Sequence, residues 1–176
     1  MRRGMTPMLQ RRRRRDGSTA VEFALVALPF FLLLFGILEI GLLLLVDAML
    51  ETAASKASRQ IRTGQAQAQQ LKPEDIKSRL CANMSIFAGD CPQRAFIDVR
   101  VVEDFSRPPD ENPLESGVFD PEVLDYQPGA PGDRVLVRIW YEHPIMTPFI
   151  ARAVSRTVDN RVMLTTTLAF RNEPYQ

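Results

Sequence analysis

Gly17-Ser18-Thr19-Ala20-Val21-Glu22, followed by the apolar run from Phe23 to Val46, is the stretch that decides the fold. The run is about 24 residues long and carries one charge, Glu39. At a helical rise of about 1.5 Å per residue it extends about 36 Å, enough to cross a bilayer core with some tilt. Glu22 stands at the mouth of this lipid-soluble helix, where an ionisable group is costly and needs a reason. A cleaved secretory signal does not fit, because its apolar region is roughly 7–15 residues long and ends in small residues. Here the small residues Gly17, Ser18, Thr19 and Ala20 precede the run. A cut at this boundary removes a basic leader and leaves the membrane helix on the mature chain.

Charge sets the orientation expected of that helix. Residues 1–17 contain seven arginines (Arg2, Arg3, Arg11, Arg12, Arg13, Arg14 and Arg15) and one acid, Asp16. The rest of the chain holds 15 basic and 20 acidic side chains, an asymmetry hidden by the overall charge of +1. An arginine cluster before a span holds the N-terminus in the cytoplasm and places the remainder across the membrane. Five consecutive arginines also match a basic nucleic-acid patch. Beside a span they are a topology signal, and no nucleic-acid partner is expected.

The helix is expected to continue beyond the membrane. From Asp47 to Arg62 the chain is rich in alanine, and Met49, Leu50, Ala53, Ala54, Ala57 and Ile61 recur at helical spacing. Thr63-Gly64 reads as a stop. One helix from Ser18 to Arg62 is about 45 residues, or about 68 Å, with its second half amphipathic over a small domain.

Residues 65–176 are the length of one ordinary domain. Pro73 to Ala82 reads as a short helix, with Pro73 in the first turn and Glu74 and Asp75 at its positive end. Phe96 to Val102 and Arg134 to Tyr141 alternate as strands, and Arg161 to Phe170 is a Thr-rich, β-branched third. Pro144 breaks the second strand, and Pro148 to Ala153 reads as a helical turn before the third. The expectation is a small antiparallel sheet packed on the second half of the long helix. Asp104 to Asp133, with six prolines and three glycines, reads as a long loop. It is either a solvated linker or a partner-contacting surface carried by a rigid scaffold.

Enzymatic chemistry lacks its parts. His143, the sole histidine, precedes Pro144 at a strand end and reads as structural or surface. No nucleophile elbow, P-loop or dinucleotide-binding glycine pattern is present. Asp110 and Glu111 read as loop solvation. No cofactor or metal is expected, and the chain is not expected to be an enzyme.

Gly17 to Glu22 before an apolar helix resembles the processing site of type IV pilins and pseudopilins. The resemblance implies that a prepilin peptidase cuts after Gly17, making Ser18 the new N-terminus and Glu22 the family's fifth-position glutamate. Cleavage frees an α-amine at Ser18, cationic near neutral pH. In a helical stack, one subunit's amine can lie beside the next subunit's Glu22 in a low-dielectric core. A lone buried charge is strongly disfavoured and a matched pair is tolerated, so the carboxylate can set axial register. The alternatives are an uncleaved anchor and a carboxylate that snorkels to the interface. Pro29 removes a backbone donor and is expected to kink or melt the helix near Leu25. In pilins a proline here accompanies a bend, and the other reading is a tolerated membrane proline. Glu39 lies about 100° around the helix from Glu22; it either pairs with a neighbouring subunit or marks the outer headgroups.

The Ala/Arg-rich segment closed by Thr63-Gly64, and the chain end Thr165-Thr166-Thr167-Leu168-Ala169-Phe170-Arg171-Asn172-Glu173-Pro174, are similar to TadE-like proteins of tight-adherence (Flp) pilus systems. Those are minor pseudopilins, matured by the system's prepilin peptidase and needed for pilus assembly. The resemblance implies a pilin-like α+β fold: leader 1–17, helix 18–64 with its span at about residues 23–46, and an extracytoplasmic domain 65–176. It implies a bacterial inner-membrane location, single-pass, with the C-terminal domain periplasmic and incorporation in a pilus open. The implied partners are the prepilin peptidase, other pilins and pseudopilins, inner-membrane assembly proteins and membrane lipid. On that side of the membrane the only cysteines, Cys81 and Cys91, are expected to form a disulfide. A metal site would need co-ligands that the spacing does not supply. The competing readings are an uncleaved scaffold of a secretion machine and a membrane-tethered adhesin or binding module contacting through residues 104–133.

Overall fold

The computed structural model describes residues 9–107, 112–115, 117–147, 150 and 161–175. Helix α1 runs from Leu9 to Arg62. It starts before Ser18, so the arginine block and the Gly17–Ser18 bond lie within one helix; arginine is a strong helix former and supports this extension. α1 also continues through Pro29 without the expected melt, as membrane helices often tolerate proline. The chain divides into two compact units, one ending at Ile40 and the other starting at Gly41.

In the second unit, α1 ends at Arg62, two residues before Gly64, whose φ of +77° is the left-handed conformation that glycine adopts at helix ends. A short helix α2 (Gln65–Ala68) and then α3 (Pro73–Ala82) follow. α3 begins and ends where the sequence places it, and the Asp75 carboxylate accepts the Lys72 backbone N–H at 2.9 Å. A single 3₁₀ turn (Ser85–Phe87) and α4 (Cys91–Arg94) lead into strand β1 (Ala95–Val101).

The main sheet is antiparallel in the order β1-β4-β5, with β4 at Arg134–Pro144 and β5 at Arg161–Arg171. All three expected strands are present. β4 runs past Tyr141 and stops at the expected break, Pro144, because His143 keeps the alternation of Val135, Val137, Ile139 and Tyr141 and is buried with them. Pro144 costs little because β1 pairs with β4 only as far as Tyr141, so at Pro144 one side of the strand is already an edge. The turn expected at Pro148 to Ala153 lies, apart from Ile150, outside the described residues.

One face of the sheet packs on α1. Val46, Leu50, Ala53, Ala54, Ala57 and Ile61 are all buried and meet Val99, Val135, Val137, Ile139 and Tyr141. Alanine at three of these positions leaves room for helix and sheet backbones to approach. Ile76, Leu80 and Met84 close the core from the side of α3.

Residues 104–133 are a correction to the expected loop. They contain a small hairpin, β2 (Leu114–Glu115) and β3 (Val118–Phe119), and a 3₁₀ turn at Pro121–Val123. Phe119 packs on Phe96 and Trp140, covering the second face of the sheet. Beyond the turn the chain runs beside β1: Val99 N–H donates to Asp125 O at 2.8 Å, and Gln127 N–H donates to Val99 O at 2.7 Å. The segment therefore covers the edge of β1, which would otherwise expose unpaired backbone groups. Asp110 and Glu111 lie outside the described residues.

Candidate functional site

Gly17, Ser18 and Glu22 lie on exposed helix, and Ser18 Oγ donates to Glu22 Oε1 at 3.2 Å, one turn on. The backbone of Arg11 to Arg15 is helical, and their side chains lie outside the described residues. From Val21 to Leu45 the helix displays apolar side chains in all directions, Phe23 and Leu25 among the most exposed at 70% and 71%. Such a surface is stable in lipid or among other helices, not in water. The helix from Gly17 to Arg62 is the one candidate membrane span among the described residues. The phenyl rings of Phe30, Phe31 and Phe35 touch in sequence along it. The two span carboxylates differ in setting: Glu22 is exposed, whereas Glu39 is only 7% exposed.

The second unit is held by features of two kinds. Cys81 and Cys91 form the expected disulfide, with Cα atoms 5.4 Å apart. It joins the end of α3 to the start of α4. Phe87 within that loop meets His143 edge-to-face at 6.1 Å, so the sole histidine is structural and buried.

The other is an ionic cluster that the strand alternation did not reveal. Asp98 is fully buried on the face of the sheet opposite α1. Its Oδ1 accepts Arg100 Nε and Asp125 N–H, both at 2.8 Å, and its Oδ2 accepts Arg138 Nη2 at 2.8 Å. Arg138 stacks over Trp140, and Arg100 reaches the Val123 carbonyl. A buried carboxylate is tolerated only when paired and hydrogen-bonded in this way. The signal in the sequence is the pair of opposite charges Asp98 and Arg100 on one face of β1, with Asp98 opposite Arg138 in the register.

At the far end, the chain terminus straps α1. Glu173 N–H donates to Arg62 O at 2.9 Å, and the two side chains pair at 3.3 Å. Asn172 Nδ2 donates to Pro128 O and Ala130 O, and Gln67 Nε2 donates to Pro128 O. These bonds tie the helix stop, the end of the 104–133 segment and the tail into one polar knot. Beside α3, Lys77 lies 5.5 Å from the Phe96 ring; burial lowers its pKa, and Glu74 works against that shift.

The architecture defines a class: an N-terminal helix able to span a membrane, running into a small disulfide-closed α+β domain. Within that class, a family model described as TadE-like protein matches residues 17–59, consistent with a TadE-like protein of Tad pilus systems. The TadE-like family is pilus-associated, structural and non-enzymatic, and the match suggests a role in Tad pilus systems. Comparison with the curated proteins and with the solved structures finds no match.

Proposed function

We propose that the chain is a minor pseudopilin of Flp (tight-adherence) pili, matured by a prepilin peptidase after Gly17 and packing through its N-terminal helix among other pilins. The observation that carries this reading is the TadE-like match at residues 17–59, which takes in Gly17, Ser18, Glu22 and the whole apolar surface of the helix. That surface needs lipid before assembly and neighbouring helices after it. Glu22 and Ser18 share one helix face. An α-amine freed at Ser18 in one subunit could then meet Glu22 of the next, and charge pairing in a dry core would define the axial step.

On this reading the protein is single-pass in the bacterial inner membrane, N-terminus inside and C-terminal domain in the periplasm. The arginine leader supports the orientation, and the Cys81–Cys91 disulfide suits an oxidising compartment. Its partners are the prepilin peptidase, other pilins and the assembly proteins of the inner membrane.

The test is the N-terminal mass of the membrane-extracted protein together with piliation of a Glu22→Gln strain. A chain starting at Ser18, and loss of pili in the variant with processing intact, are the expected results. A chain retaining Met1 or Arg2, or unchanged piliation, overturns the reading. One observation favours the second reading, an uncleaved membrane scaffold: α1 is unbroken from Leu9 across the Gly17–Ser18 bond. The same mass measurement separates the two.

A further inference from the structure

Strand β5 is the last strand of the sheet, and among the described residues no strand pairs with its outer side. Proteins usually blunt such an edge with charge, proline or a bulge. β5 carries charge only at its ends, Arg161 and Arg171; Val162 to Phe170 is a run of Thr and apolar residues. Alongside this edge lies a groove of about 360 Å³ between β5 and α1. Its helix wall presents Ser55, Ser58, Arg59 and Arg62 at i, i+3, i+4 and i+7, with Lys56 beside them, and its strand wall presents Leu168, Ala169 and Phe170. Among the described residues no acidic side chain lines it. Lys56 donates to Asn83, Arg62 pairs with Glu173, and Arg59 has no ion pair among the described residues. Ser58 is 4% exposed and its Oγ has no hydrogen-bond partner among the described residues, an uncommon state for a buried hydroxyl.

We infer that this groove is a docking site for an extended acidic segment of a partner protein, which adds as a strand to the open edge of β5. Backbone pairing with β5 supplies affinity, as in other strand-addition complexes. Alternate side chains of an added strand face the same way, so carboxylates at every second position would meet Lys56, Arg59 and Arg62. A second copy of β5 is a poor occupant: antiparallel self-pairing centred on Thr166 sets Arg161 opposite Arg171, and like charges directly opposite are unfavourable. The inference concerns the second unit alone and does not depend on cleavage or packing of the N-terminal helix.

The experiment uses the full chain in detergent micelles and three fluorescent probes: an alternating Glu-Val octapeptide, an alternating Lys-Val octapeptide, and a polyaspartate of the same charge as the first. Binding is followed by anisotropy and amide hydrogen exchange. The expected result is that the Glu-Val peptide binds best and slows exchange of β5 amides, and that Arg59→Glu weakens it about tenfold. Lys56→Glu provides a second variant, and near-ultraviolet circular dichroism verifies that each remains folded. The inference is overturned by absent Glu-Val binding, equal binding of the Lys-Val peptide or polyaspartate, or binding that leaves β5 exchange unchanged.

Discussion

The ring of Tyr175 lies against Gly64 so closely that a Cβ on this glycine would meet Tyr175 Cγ at 2.2 Å. The last aromatic residue of the chain thus seals the point where α1 stops, and it does so because glycine has no side chain. Gly64→Ala adds a left-handed backbone penalty of about 1 kcal/mol to overpacking of about 1–3 kcal/mol. The variant should melt earlier when followed by near-ultraviolet circular dichroism. In a Tyr175→Ala background the overpacking part should vanish; an undiminished cost there would contradict this geometry.

Asp98 is buried with two guanidinium groups around it. Asp98→Ala leaves Arg100 and Arg138 without their acid and should lower stability by about 3–5 kcal/mol. Asp98→Asn keeps an acceptor for the Asp125 N–H and should cost less. Denaturant titration of the three proteins checks the order, and equal stability of all three would exclude a structural role for the cluster.

The disulfide closes a short loop, and both cysteines are buried. Replacing both with alanine should cost about 2–3 kcal/mol from the lost loop constraint. Reducing agent should destabilise the native protein by a similar amount and leave the double variant unaffected. Thermal melts with and without reductant read this directly.

All three tyrosines, Tyr126, Tyr141 and Tyr175, have pKa values raised above the ordinary 10.0, chiefly by burial. For Tyr126 the nearby Asp75 adds to the rise, and for Tyr141 the Arg94 guanidinium opposes it. The folded state therefore holds these protons longer than the unfolded chain. Their contribution is complete below the unfolded value of 10.0 and is lost as pH climbs above it. Ultraviolet titration of phenolate should give a higher midpoint in buffer than in denaturant, and coincident midpoints would refute the shift.

Much of this architecture was legible in one dimension because it rests on local rules. The bounds of α3 follow from Pro73 and its acidic first turn, and Leu50, Ala53, Ala54, Ala57 and Ile61 announce the buried stripe of α1 by period alone. The Cys81–Cys91 bond followed from parity and spacing. Residues 104–133 were misread, because their ordering comes from partners distant in the chain: Phe119 finds Phe96 and Trp140, and Asp125 finds Asp98. Proline content marks where regular structure stops, not whether the chain then packs. His143 lies at the end of β4 as its neighbour Pro144 implied; its burial, which the sequence left open between a structural and a surface place, comes from pairing with Val162 and packing on Phe87.

The sequence by itself determined the N-terminal apolar helix, the arginine cluster that precedes it, the amphipathic continuation and the three strands. Each depends on composition or periodicity within a window of a few turns. Only the tertiary structure decided which charge is buried, what covers the second face of the sheet, how the tail locks Gly64, and that β5 is the last strand of the sheet among the described residues, beside a cationic groove. Those outcomes depend on which distant residues meet, and burial, pairing and open edges exist only once they have met.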